Sequence, residues 1–167
     1  MRKLGRVIEF LSYAGGYTSG CLVLVAMIIV MVEVVTRFVL WTPITVAEEL
    51  SGYVFIFISY VGLAYCWKEG AHIRITFLVT RMPERVSSWL RVGTLIIALA
   101  YVTLVSIVSY YFVVDAFHRG IRSNTLLMTP LGWPQLALPI GFTLLSLQVA
   151  VTIVKTINNI RSGISTE

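Results

Sequence analysis

The chain has 167 residues, 57% of them apolar and only 13% charged, with a net charge of +5. A soluble domain of this size carries about a quarter charged residues, so a water-facing globule is excluded. The fold class this points to is an all-α membrane protein over residues 1–167, a single integral membrane domain with no soluble domain of its own.

The first apolar run follows Arg2, Lys3 and Arg6 and is uncharged from Phe10 to Val32, 23 residues. A signal peptide has an apolar region of only ~7–15 residues and a small-residue cleavage site. This run instead closes on Glu33-Val34-Val35-Thr36-Arg37, so a retained first span over about 10–35 is predicted. Within it Gly16 and Gly20 form a small-xxx-small pair that would let another helix approach. Glu33 and Arg37 stand four residues apart, Glu first, the favoured order for an ion pair on one helix face. An interfacial anchor of this kind is the better reading than a proton-relay glutamate, which would sit nearer the span's centre.

A second span is predicted over about 43–67, with Thr42 as N-cap and Pro43 at the first helical position. Glu48 and Glu49 fall about two turns in and point ~100° apart, so they cannot form one close pair. Either one faces a partner or neighbouring helix while the other faces water, or both are solvated at the headgroup level. Gly52 and Gly62 thin this helix, and Tyr53, Phe55, Phe57 and Tyr60 go round it, more aromatic surface than a small bundle buries. Cys21 and Cys66 lie inside spans without Cys/His partners and read as small packing residues.

Between the second and third spans, Ala71, Ile75, Leu78 and Met82 recur at helical spacing, with Phe77 beside them and Arg74 and Arg81 at the margins. This predicts an interfacial amphipathic helix over about 70–82, ended by Pro83; a solvated loop is the alternative. The third span is predicted over 92–114 and the fourth over about 133–154. Pro139 removes a backbone donor and crowds the carbonyl of Gln135, which predicts a bend there.

Ten of the thirteen Lys and Arg residues fall at the N-terminus, in the second-to-third connection and at the C-terminus; Arg37, Arg119 and Arg122 fall on the other side. By the positive-inside rule both termini are expected in the cytoplasm. Trp41, Trp67, Trp89 and Trp133 each sit at a predicted span end, two per side, as headgroup-layer anchors do. The positive charge is therefore topological, and no nucleic-acid partner is expected.

His72 and His118, the two histidines, fall on opposite sides and cannot share a haem. No nucleophile–base set, phosphate loop or metal-ligand cluster is present in the sequence, so no enzyme activity, metal or cofactor is expected. The span centres are almost uniformly apolar and the two halves do not resemble each other, unlike a complete carrier.

Several features occur together in one order: Arg37 closing the first span and then Trp41; Glu48-Glu49-Leu50-Ser51 opening the second; Gly62 in its inner half; Lys68-Glu69-Gly70-Ala71-His72-Ile73-Arg74 leading into the amphipathic stretch and Pro83; and Pro139-Ile140-Gly141 in the last span. In this order the chain resembles the small membrane subunit of tripartite ATP-independent periplasmic (TRAP) transporters of the bacterial inner membrane. It departs from the family pattern at Thr76, where an acidic residue is common. The resemblance implies a non-catalytic scaffold beside a large membrane subunit that holds the substrate and sodium sites. It also implies a separate periplasmic substrate-binding protein that delivers an organic acid, such as a dicarboxylate, keto acid or sialic acid. Arg37, Trp41, Glu48, Glu49, Gly62, Glu69, His72 and Arg74 are then structural or partner-contact residues, with no substrate site, and the partner is expected to be a separate chain. A self-sufficient proton-linked carrier or channel using Glu33 or Glu48, or a haem-free membrane anchor of another complex, are the alternatives.

Overall fold

The computed structural model describes residues 2–39, 41, 45–69, 84–125 and 127–161. Five helices follow in chain order: α1 Arg2–Val39, α2 Thr45–Lys68, α3 Glu84–His118, α4 Gly132–Gln135 and α5 Ala137–Arg161. Four stretches are long and apolar enough to cross a membrane, Gly5–Val39, Val46–Lys68, Trp89–His118 and Gly132–Asn158. The proposed cap and first turn at Thr42 and Pro43, and the interfacial helix over 70–82, lie outside the described residues.

At 38 residues α1 is about 57 Å long at 1.5 Å per residue. The helix thus runs beyond its apolar stretch at both ends, because charged residues end a hydrophobic run without ending a helix. The helix has ended by Trp41, whose φ of 56° lies outside helical geometry.

The helices stand in the order α1, α2, α5, α3, with α2 and α5 central and α1 and α3 at the edges. Each edge helix turns one stripe inward, and α1 reaches α5 as well as α2. On α1 the inward residues are Ile8, Ser12, Gly15, Ser19, Leu22, Ala26, Ile29, Glu33 and Thr36. On α3 they are Val92, Leu95, Leu99, Val102, Ser106, Ser109, Val113 and Ala116. Both alternate steps of three and four, the repeat of helices crossing at a shallow left-handed angle. Away from these stripes the edge helices present many exposed apolar side chains, among them Phe10, Tyr17, Leu24, Ile28 and Met31 on α1 and Ile97, Tyr101, Leu104 and Tyr111 on α3.

Leu95, Val102, Leu145 and Val149 form the core between α3 and α5, with Leu63 and Trp67 of α2 packed against it. Gly141 of α5 sets the α2–α5 distance: a Cβ there would stand 2.2 Å from the Tyr60 carbonyl oxygen. On α1, a Cβ at Gly15 would meet the Val61 carbonyl at 2.8 Å, and one at Gly16 the Tyr65 ring at 2.4 Å. Gly20 and Gly52 have open space around them, so the Gly16–Gly20 pair is not the packing motif; Gly15 and Gly16 together are. Cys21 and Cys66 are exposed rather than packed, since the seams pass beside them.

The hydrogen-bond ladder breaks at Leu136, between α4 and α5, while Leu136 itself keeps helical angles, φ −56° and ψ −26°. Pro139 has no amide to offer the Gln135 carbonyl, and the Leu136 amide turns back to Trp133 O at 3.2 Å. The first residues of the last span thus become a separate turn. Its Gly132 lies under the Phe117 ring, and Trp133 meets Phe117 edge-on at 5.8 Å.

Gly141→Ala should lower stability in detergent by roughly 1–3 kcal/mol through overpacking, whereas Gly20→Ala should be neutral or slightly stabilising. Reversible unfolding of the two variants, followed by circular dichroism, checks the contrast.

Candidate functional site

Polar residues gather at the two ends of the helix row, and a few cross it. At the end that carries the α1–α2 link, Arg37 bridges two helices. Its guanidinium donates to Glu33 of its own helix and, at 2.7 Å, to Glu48 of α2. The pairing expected from sequence was Glu33 with Arg37 alone. The structure makes it a cluster of three, in which Glu33 is buried and Glu48 is exposed. A cation shared by two carboxylates compensates burial of Glu33, which unpaired would be costly in hydrocarbon.

Glu49 belongs to a different knot. Its carboxylate accepts from the Tyr53 hydroxyl, one turn on, and from Thr125 in the α3–α4 loop. Thr125 in turn lies 2.8 Å from the Ser123 hydroxyl. The ~100° between neighbouring helical positions sends Glu48 towards α1 and Glu49 towards this loop. Both carboxylates are engaged, so neither is left to water alone.

The loop from α3 to α4 is ordered by its backbone. Gly120, at φ 59°, caps α3, with its amide on Phe117 O at 3.3 Å and the Ile121 amide on Ala116 O at 3.1 Å. This left-handed glycine end satisfies two final carbonyls. Arg122 and Pro130 then form an antiparallel bridge, flanked by Ser123 N to Thr129 O at 2.9 Å and Leu131 N to Ile121 O at 3.0 Å. Pro130 takes the position of the pair that needs no amide donor. Arg119 is neutralised by Asp115 at 2.8 Å.

At the other end, Lys155 of α5 pairs with Glu9 of α1, and Lys68 lies 3.0 Å above the Tyr13 ring. One step inward, the Ser12 hydroxyl donates to Ile8 O at 2.9 Å and to Gln148 Oε1 at 3.1 Å, one hydrogen shared by two acceptors. Trp67 Nε1 donates to Thr152 Oγ1 at 3.3 Å. These contacts tie α1 and α2 to α5.

Of the residues singled out in the sequence, Arg37 and Glu48 come together and Glu49 lies in the adjoining knot. Trp41 stands 88% exposed in the α1–α2 link. Gly62 is buried against Ser19, further along α2. Glu69 follows α2, its amide on Tyr65 O at 3.0 Å. His72 and Arg74 lie outside the described residues. Sequence reasoning missed Ser12–Gln148, Glu9–Lys155 and the Ser123/Thr125 partners of Glu49. Gln148 was the available signal, an amide in an otherwise apolar run. Among the described residues, no three His, Cys, Asp or Glu side chains converge as a metal site would need.

The family model described as tripartite ATP-independent periplasmic transporters, DctQ component, matches residues 26–159. The chain belongs to this family. It is a small permease subunit of a TRAP transporter and a multi-pass protein of the inner membrane. Two curated relatives agree. A Haemophilus influenzae protein assigned as a TRAP transporter small permease is 34% identical over 56 residues, 34% of this chain and 35% of that protein. The sialic acid TRAP transporter small permease protein SiaQ of Vibrio cholerae is 28% identical over 113 residues, 65% of this chain and 61% of that protein. The matches thus span about a third and three-fifths of those relatives' lengths. The segment matched to the DctQ family contains both knots, from Glu33 through Thr125, while Glu9 and Ser12 precede it.

Glu49→Gln should loosen the α3–α4 loop, since it removes the charged acceptor that Tyr53 and Thr125 share. Hydrogen exchange of the Ser123 and Leu131 amides should quicken at least about tenfold, while amides in the middle of α3 keep their protection.

Proposed function

We propose that this DctQ-family chain is the non-catalytic scaffold of a sodium-driven transporter that takes up an organic acid. On this reading a large membrane subunit carries the substrate and sodium sites, and a periplasmic binding protein supplies the substrate. Both termini face the cytoplasm, so the Arg37 and Glu49 knots lie at the periplasmic end. Arg37, Trp41, Glu48, Glu49, Gly62, Glu69, His72 and Arg74 act as structural or partner contacts and not as substrate ligands.

The observation that carries this reading is the one-layer arrangement. Among the described residues the long helices pack side by side, with α1 meeting α5 only over a small area and no enclosed interior for a solute, and the outward faces on α1 and α3 are long and apolar. Among the described residues, Ser12 joins Gln148 across helices, Ser51 and Thr156 bond back into their own helices, and no midplane cluster of the kind that binds a solute in a carrier forms. A surface of this form suits a brace held against a larger membrane protein.

Uptake by the chain reconstituted with its large subunit and binding protein should require a sodium gradient, and the chain alone should move no solute. Glu49→Gln should lower the uptake rate with the order of substrate preference unchanged. A changed preference, or transport by the chain alone that is lost in Glu33→Gln, would overturn the scaffold in favour of a self-sufficient carrier.

A further inference from the structure

The α3–α4 loop is inside out by the standard of a turn in water. Its hydroxyls are drawn inward: Thr125 donates to Glu49 of α2, and the Ser123 hydroxyl lies 2.8 Å from that of Thr125. Ser123 and Thr129 are half-buried, while Ile121, Leu127 and Met128 are exposed. In water the favoured arrangement is the reverse, with aliphatic side chains covered and hydroxyls outside. Met128 adds to the cost. Its φ of 45° is a conformation that glycine or asparagine adopts more readily, yet a large apolar side chain stands there. The backbone beneath the tip is fixed by the Arg122–Pro130 bridge, its two flanking hydrogen bonds and the Met128 amide on Thr125 O at 3.1 Å.

The same contacts set the depth of the loop. Ile121 stands three residues past His118, where the third span ends, and Met128 four residues before Gly132, where the last span begins. Thr125 is bonded to Glu49, which lies inside the span Val46–Lys68, so the loop is drawn down to the level of the span ends. The headgroup layer outside the hydrocarbon core is about 5–7 Å thick on each side, and a loop held in this way lies within it. The groups that flank the tip suit that layer. Trp133 is exposed, and an indole with one polar edge favours the headgroups. Arg122 is exposed and makes no ion pair with any described residue.

We propose that the outward face of this loop is a lipid anchor, in which Ile121, Leu127 and Met128 enter the boundary between headgroups and acyl chains and Arg122 pairs with a phospholipid phosphate. The polarity of the loop is then the right way out for its surroundings, and a phosphate supplies the anion that Arg122 lacks, through charge-assisted hydrogen bonds. A covering protein would have to bring both an apolar socket for the tip and a carboxylate for Arg122, whereas the lipid boundary offers both at this depth. The anchor fixes the level of the α3–α4 end in the bilayer and, through Thr125 and Glu49, that of the first turns of α2.

The test needs no substitution at first. The full chain is extracted from cell membranes in native-lipid nanodiscs, washed free of soluble proteins, and treated with two probes read by mass spectrometry. Hydroxyl radicals made in the water phase should oxidise Met128 more slowly than in the unfolded chain, and no faster than Met27 and Met31, which are exposed within the α1 span. A phospholipid with a diazirine near the top of its acyl chain should, on illumination, label the 127–128 tip. Oxidation of Met128 as fast as in the unfolded chain would place the tip in water and overturn the proposal. Protection without lipid labelling would also overturn it, since a protein would then cover the tip. Arg122→Glu, which repels a phosphate, should raise Met128 oxidation and lower the labelling, and Arg122→Lys should stay near wild type. Values unchanged in Arg122→Glu would overturn the phosphate pairing.

Discussion

Where α5 crosses α2, a single methyl group added to Gly141 would stand 2.2 Å from the Tyr60 carbonyl oxygen. Inside a bilayer there is no hydrophobic force between helices, because lipid tails are as apolar as leucine, so close packing and polar contacts must hold them together. The α2–α5 approach supplies the packing, and the two edge helices depend on it. α3 sets its seam into α5 through Leu95 and Val102. α1 sets its own against α2 at Gly15 and Gly16 and reaches past it to Gln148 and Lys155 of α5. Each of these contacts presumes that α2 and α5 already lie side by side at the distance Gly141 permits.

The polar contacts complete the row at its ends. Backbone groups in hydrocarbon are satisfied within each helix, which leaves side chains to specify which helix neighbours which. Arg37 joins α1 to α2, Glu49 joins α2 to the α3–α4 loop, and Glu9 with Lys155 joins α1 to α5. The break at Leu136 belongs to the same design. It separates α4 as a short turn that seats Gly132 and Trp133 against Phe117, so that the last helix starts close beside α3.

The four apolar runs were legible in the sequence because a span must be about twenty residues long and nearly uncharged. The Glu33–Arg37 pair was legible because it lies within one helix turn. The third member, Glu48, was not, since its approach depends on how α1 and α2 are rotated, which no local pattern reveals. Glycines show the same limit. Gly16 and Gly20 have the spacing of a packing motif, yet only Gly16 lies on the seam, and Gly15 and Gly141 bear no sequence mark of their role. Small size suggests packing for Cys21 and Cys66, yet it does not tell which face of a helix is covered, and both are exposed. The Ser123 and Thr125 hydroxyls around Glu49 were invisible for a similar reason: polar loop residues are common and acquire partners only through tertiary folding.

On the proposed reading, the helix row with its uncovered apolar edges is a brace completed by a larger membrane protein. Affinity purification of the tagged chain from gently solubilised membranes, with mass spectrometry and mass photometry of the eluate, addresses it most directly. A brace should bring down one large, many-span membrane protein in one-to-one ratio with the chain. Recovery of the chain alone, or only as an assembly of its own copies, would contradict that reading.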